Sequence, residues 1–460
     1  MHEPRFHHTL VLPLLCAAWF LVFAIQIVVT LPPFQGADEA AHLYRVEAFA
    51  QGVPVPYRIA EGVLGGPVDP SLREAVLLFE DVKFAPGVKV SAARLADAEA
   101  RPWSGQPVAF PLTSSSLYSP ALYAPLAGAL ALAKQLDLGI LDSTKLVRLS
   151  NALVSAGLLL LAMLLLDRGR TLALALALLP MTVFVSSYAT QDGLIFALSM
   201  LVVAILSRAW NENRPLAAGE LAAATLILVC LATGKPPGLA FAGLLLGYSR
   251  NPLPIRLLAV ALVGAAFAGW TAVVYAGGPL HLNAVADPAA QLAFLLADPL
   301  RVFAIAGATF ATWGRFYVES FVGQLGWLDV FLPPWYHLAT QVMLGLAALG
   351  VVAGGVRLVR SGESLALATA LLVLLAGSGM IFGSLYLGWT EVGKLIVNGV
   401  QGRYFLPFAT LLVLIADRRG GPISPLDGWI GGAIRIVVVA WPLLSIPIVL
   451  RALTWRYHIG

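Results

Sequence analysis

The first apolar run, Thr9 to Thr30, contains no charged side chain and stops directly at Leu31-Pro32-Pro33. A run of that length matches the hydrocarbon thickness of a bilayer, where the backbone must pair its own polar groups, so it reads as a transmembrane helix. It is too long for a signal-peptide core and lacks a small-residue cleavage pattern before Pro32, so it is expected to be retained. Comparable runs recur to the carboxyl end. Of 460 residues, 59% are hydrophobic and 12% charged, against roughly 25% charged in soluble domains. This balance excludes a soluble core and predicts an all-α, polytopic integral membrane protein, residues 1–460 forming a single transmembrane domain. The formal charge of +4 is dispersed among loops, which excludes a nucleic-acid partner. Cys16 and Cys230 lie in apolar runs and suggest neither a disulfide nor a metal site.

Basic residues set the orientation. Asp167-Arg168-Gly169-Arg170, Arg208 with Arg214, Arg250 with Arg256, Arg357 with Arg360, and Arg418 with Arg419 recur in phase after successive runs. The positive-inside rule places these loops in the cytoplasm, with membrane lipids as solvent for about 10–13 helices. Residues 31–116 then form a long first extracytoplasmic loop, in which residues 54–111 are a candidate lid subdomain. Residues 277–335 form a second long outer or re-entrant segment. Two stretches are ambiguous. Residues 117–136, which contain Pro120 and Pro125, read as either a span or an interfacial helix, and charge bookkeeping favours the latter. Residues 292–310 read as a span or an outer re-entrant helix.

Chemistry-bearing side chains collect at the outer boundary. After Pro32-Pro33, Gly36 allows a turn, and Ala37 to Gln51 are expected to form a short helix closed by Gly52. On it, Asp38, His42 and Arg45 share one side and Glu39 sits three residues before His42. Further along come Asp192 after a polar run, Lys235 before Pro236-Pro237, Trp327 and Asp329 in Gly326-Trp327-Leu328-Asp329, and Gln401, Arg403 and Tyr404. Each has a bland alternative: a helix cap for Asp192, a turn cap or pairing with Arg315 for Asp329, snorkelling for Lys235 and Arg403, an aromatic belt for Trp327. Their co-location is what favours a site. Arginine and lysine would hold a phosphate, and a carboxylate at the apolar boundary would take a proton from an attacking hydroxyl.

These motifs, together with Pro180-Met181, Lys235-Pro236-Pro237 and Gln401-Gly402-Arg403-Tyr404-Phe405-Leu406-Pro407, resemble in order and spacing an uncharacterised family of bacterial polytopic membrane proteins that carries a domain-of-unknown-function label. The resemblance runs over roughly residues 10 to 458. That family looks like part of the GT-C glycosyltransferase superfamily, membrane enzymes that use polyprenyl-phosphate-linked sugars at the outer face. The resemblance implies a GT-C-like fold in the bacterial inner membrane and an extracytoplasmic site. It also implies sugar transfer from a polyprenyl-phosphate donor to a cell-envelope glycan or lipid acceptor. Asp38 would be the general base, with Glu39 and Asp192 completing the acid site or holding a divalent cation (Mg or Mn). Lys235 and Arg403 would contact donor phosphate, and His42, Arg45, Trp327, Asp329, Gln401 and Tyr404 would line the pocket. Family members typically have Pro-Pro-Asp-Glu contiguous, whereas Phe34-Gln35-Gly36-Ala37 intervene here. Two other readings stay open: a transporter or flippase of lipid-linked saccharides, and a non-catalytic subunit of a polysaccharide assembly machine.

Overall fold

The computed structural model describes residues 6–280, 285–417 and 428–459. Among these, seven helices are long and apolar enough to cross a membrane: Leu10–Thr30, Ile140–Leu165, Asp192–Asn211, Leu253–Tyr275, Pro334–Arg360, Ser364–Gly388 and Trp429–Tyr457. Pro288–Ala297 and Arg301–Gly323 form a pair bent by 113°, which makes eight if counted as one span. The chain is a mostly helical polytopic membrane protein.

Seven or eight long helices are fewer than the 10–13 expected from the apolar runs, and proline accounts for the difference. Proline lacks an N–H and clashes with the preceding turn, so an apolar run containing it need not be one rod. The run from Arg170 divides at Pro180 into Arg170–Ala177 and Pro180–Ser186. Both pieces are enclosed by other helices, so protein rather than lipid surrounds the break. The next such run divides at Lys235 into Ala218–Gly234 and a 3-10 segment, Pro236–Gly243. Residues 117–136 resolve the same way: after a 3-10 turn at Pro120–Tyr123 only Ala124–Gln135 is helical. At about 1.5 Å per residue, that helix is too short to span a hydrocarbon core of about 30 Å. Residues 292–310 contain the 113° bend, at Asp298-Pro299-Leu300.

The long first loop departs from pure helix. Tyr57–Ala60, Val63–Val68 and Val108–Pro111 make a three-stranded antiparallel sheet. Helices Pro70–Leu77 and Ala92–Glu99 lie between its second and third strands. Gly66 on the central strand faces Ala48 so closely that a Cβ would lie 2.7 Å from the alanine methyl, which seats the sheet on helix Glu39–Ala50. The same loop is fastened to the end of the last helix. Arg456 donates to the Val82 and Val88 carbonyls, Val90 N–H donates to Tyr457 O at 2.8 Å, and the Lys89 ammonium caps the Trp455 and Arg456 carbonyls.

At the opposite end of the bundle Asp417 closes the short helix Leu406–Ala416. Its Oδ1 accepts three successive backbone N–H groups, from Asp167, Arg168 and Gly169, at 2.6–2.8 Å. Its Oδ2 accepts from the Ser207 hydroxyl at 2.7 Å. Arg418 and Arg419, expected in this cytoplasmic loop, lie outside the described residues.

Each buried backbone donor left unpaired costs about 1–3 kcal/mol. Asp417→Ala is therefore expected to destabilise the protein strongly, and Asp417→Asn, which keeps one acceptor oxygen, to destabilise it less. Thermal unfolding of detergent-solubilised protein measures the order; equal melting temperatures in wild type and Asp417→Ala would remove this anchor from the account.

Candidate functional site

The two prolines after the first span deliver the chain into a tight turn in which Phe34 and Asp38 both take φ 63°. Aspartate tolerates this left-handed conformation better than most residues. Gly36, at the centre of the turn, lies flat on the Tyr188 ring, where a Cβ would come within 2.3 Å of ring carbon. The helix consequently starts at Glu39 rather than at the expected Ala37, and Asp38 points away from its neighbour.

That divergence separates the acid pair. The Glu39 carboxylate is buried and accepts both Nε and Nη2 of Arg148 at 2.7 Å each. Arg148 spends its remaining donors on the Leu31 and Pro32 carbonyls, and the Gly36 and Ala189 amides complete the Glu39 shell. Glu39 thus holds the turn in place and has no oxygen free for substrate. The Asp38 side chain is 53% exposed and accepts one bond, from Arg403 Nη2 at 3.1 Å.

Around Asp38 the structure gathers Asp192, Lys235, Arg403, Tyr404 and His42. Asp192 opens its helix because the preceding loop is clamped: Asn151 Nδ2 donates to the Tyr188 and Thr190 carbonyls, and Gln191 Nε2 donates to Gly234 O at 2.8 Å. This clamp brings Asp192 against the Lys235 ammonium, with which it forms an ion pair. Arg403 approaches from a separate element. Gly402 before it packs on helix Arg301–Gly323, where a Cβ would meet Tyr317 O at 2.1 Å, and its N–H donates to Ser320 Oγ. The guanidinium then spans the site, with Nη1 on the Tyr188 hydroxyl at 2.9 Å, Nη2 on Asp38 and Nε 3.9 Å from Asp192. Tyr404 offers its ring to both cations, 5.0 Å from Lys235 and 5.4 Å from Arg403. His42 is buried, with Nδ1 2.7 Å from the Tyr123 hydroxyl and Nε2 3.4 Å from the Thr190 hydroxyl. Burial pulls its pKa down to about 4, against the opposing pull of Asp192 and Asp38, so the imidazole is neutral at pH 7.

Two cavities meet at this cluster. The smaller, of 40 Å³, is lined by Asp38, His42, Ser114, Ser115, Tyr118 and Thr190. The larger, of 160 Å³, runs inward between apolar side chains that include Ile195, Leu231, Phe241, Ile381, Leu385 and Phe408. Tyr118, Asp192, Lys235, Arg403 and Tyr404 form the wall between them, belonging to both.

Not every residue expected in the pocket arrives there. Arg45 is buried away from it, with Nη2 on Pro54 O at 2.6 Å and its guanidinium over Tyr123. Asp329 pairs with Arg456, at 2.6 Å, rather than with Arg315, which pairs with Glu319. Trp327 packs under Phe84 and the Lys83 ammonium, beside that pair. Gln401 precedes the Arg403 turn but lines neither cavity. The divalent-cation expectation does not fit these residues: Glu39 is committed to Arg148 and Asp192 to Lys235. Among the described residues no group of three or more His, Cys, Asp or Glu side chains is placed to hold a metal. Arg148, Tyr118 and Tyr123 were not singled out from the sequence. The signal for Arg148 was present, an arginine inside an apolar run that must find a partner; the tyrosines carried none.

Removing one partner of a buried ion pair costs about 3–5 kcal/mol, because the other charge stays buried alone. Glu39→Ala and Arg148→Ala are each expected to unfold or severely destabilise the protein, whereas Asp38→Asn, at a half-exposed site, leaves the melting temperature close to wild type. Melting curves of the three purified variants decide whether Glu39 is structural. A second expectation concerns pH. With His42 held near 4 in the folded state against 6.5 ordinarily, the unfolded chain takes up that proton first as pH falls through this window, so acid destabilises the fold. His42→Gln should flatten the loss between pH 6.5 and 4; an unchanged slope would mean His42 is not the group responsible.

A search of curated proteins finds no match to this sequence. A protein-family model described as predicted membrane protein (DUF2142) matches residues 20–412, a span that contains the turn at Asp38, the Asp192 and Lys235 pair, and Arg403 with Tyr404. Because the match takes in most of the chain, the protein belongs to the DUF2142 family of predicted membrane proteins.

Proposed function

We propose that this protein is a membrane glycosyltransferase of GT-C type, moving a sugar from a polyprenyl-phosphate-linked donor onto an extracytoplasmic cell-envelope acceptor in the bacterial inner membrane. One observation carries the reading: two cations, Lys235 and Arg403, and one carboxylate, Asp192, line the shared wall of a polar cavity and an apolar one, with the second carboxylate, Asp38, on the polar side. A ligand suited to both has an anionic head and a long hydrocarbon chain, which describes a lipid phosphate. The repeated arginines of the loops at the other end of the bundle favour the cytoplasm for that end, and hence the extracytoplasmic side for the site.

In this scheme the prenyl chain lies along Ile195, Phe241, Ile381 and Phe408, and Arg403 and Lys235 hold the phosphate. Arginine suits that role because its planar fork matches two phosphate oxygens. The acceptor hydroxyl enters from the Asp38 side. Its oxygen forms a bond to the anomeric carbon as the bond from that carbon to the phosphate oxygen breaks. The hydroxyl proton passes to Asp38, and polyprenyl phosphate leaves with the electron pair, its charge met by Arg403 and Lys235. Neutral His42, held by Tyr123 and Thr190, fixes the floor beside Asp38 without adding a charge. Tyr404 presents an aromatic face next to the cations, suited to a sugar ring.

The test is donor turnover. Protein in lipid is given radiolabelled polyprenyl-phosphate sugars together with cell-envelope lipid extract as acceptor, and release of polyprenyl phosphate is followed. Loss of a positioned general base typically costs about 10²–10⁴-fold, so Asp38→Asn should fall by that range while Arg403→Lys mainly weakens donor binding. Full turnover in Asp38→Asn would sink the base assignment. Absence of both turnover and donor binding in wild type would sink the glycosyltransferase reading.

A further inference from the structure

A larger cavity than either of those at the Asp38 cluster lies away from it. It measures 680 Å³ and is bounded by Pro86 and Lys89 of the first loop, by residues 329–335, and by the last three turns of helix Trp429–Tyr457. Its floor is the buried Asp329–Arg456 pair, which is neutral as a unit. Its rim is not neutral. Lys89 uses its ammonium to cap two helix carbonyls, which neutralises no charge. Arg451 is exposed and makes no hydrogen bond or ion pair with any described residue. Three large aromatics stand beside these cations with most of their surface uncovered: Phe331 at 67%, Trp335 at 54% and Trp455 at 62%.

An arginine six residues before the end of a membrane-spanning helix needs a counter-charge or water. Tryptophans flanking it mark the level where acyl chains meet headgroups. Two uncompensated cations above an apolar, aromatic wall are complementary to one molecule with a single anionic head and hydrocarbon tails. We propose that this cavity is a binding site for an anionic phospholipid of the surrounding bilayer. Its phosphate sits between Arg451 and Lys89, and its chains lie along Trp335, Phe331 and Ile448. The site is separate from the Asp38 cluster and stands whether or not the protein transfers sugars. It also has a structural consequence. A lipid there rests on the same Lys89 contact that fastens the first loop to the last helix, so anionic lipid should stiffen that junction.

Native mass spectrometry of the detergent-solubilised full chain, titrated with phosphatidylglycerol or with phosphatidylcholine of the same tails, tests this. Each basic side chain near a membrane surface is worth about fivefold in affinity for anionic lipid. Phosphatidylglycerol should therefore be retained preferentially, Arg451→Gln should weaken it about fivefold, and Arg451→Lys should restore most of the loss. Arg360→Gln, an exposed arginine at the far end of the bundle, is the control for general surface charge and should weaken retention less than Arg451→Gln does. Because Arg451 is exposed, its variants should fold, and their melting temperatures without added lipid check that they do. Equal retention of both lipids, or an Arg451→Gln variant indistinguishable from Arg360→Gln, would overturn the site. A polyprenyl phosphate that binds through Arg451 when phosphatidylglycerol does not would overturn the phospholipid assignment in favour of a prenyl carrier.

Discussion

The Glu39–Arg148 ion pair is the contact on which the rest of this end of the protein rests. Removing two charges from water is costly, and the cost is offset only where geometry is near ideal and the spare donors are satisfied. Here both guanidinium edges are used, two on the carboxylate and two on the carbonyls of Leu31 and Pro32. The pair ties the end of the first span to the second long helix and pins the start of Glu39–Ala50. It also reaches the Ala189 amide, and with it the loop that presents Asp192. One interaction thus sets the height of the two segments that carry Asp38, His42 and Asp192 relative to the helices that support them.

With that scaffold fixed, Asp38 becomes the exposed member of its pair. A residue in left-handed backbone, beside a half-open cavity and within reach of an arginine, is held where a regular helix would not put it. Strained backbone persists only where its surroundings over-determine it. Gly36 against Tyr188 and Glu39 against Arg148 supply that determination from both sides. The four residues between Pro33 and Asp38 form the turn itself, so this chain sets its acid by backbone conformation rather than by direct succession to the prolines.

Hydropathy carries the gross architecture well, because a bilayer accepts only segments whose backbone is paired internally. It overcounts spans wherever proline divides a run and protein, not lipid, surrounds the pieces, as at Pro180 and at Pro236-Pro237. Residues 117–136 stayed ambiguous in the sequence, with the basic loops favouring the interfacial reading, and the short helix Ala124–Gln135 agrees with that reading. The antiparallel sheet in the first loop was not legible, since its strands are short and two of its central residues are glycines. Of the residues expected at the site, Asp38, His42, Asp192, Lys235, Arg403 and Tyr404 meet, while Arg45, Trp327 and Asp329 serve other contacts and Gln401 lines neither cavity.

The sequence alone determined that this chain is a bundle of membrane helices with its ionisable groups kept toward the helix ends, because desolvation makes the lipid-facing middle costly for a charge. Tertiary structure alone decided which of two adjacent acids faces a cavity and which is sealed under an arginine. Neighbouring residues at a helix start differ by one backbone dihedral, and the choice between them is made by Tyr188 and Arg148, both distant in the chain. It likewise decided that Asp329 belongs to Arg456 and not to the Asp38 cluster: position along a sequence says which end of a bundle a residue reaches, and only packing says beside whom it stands.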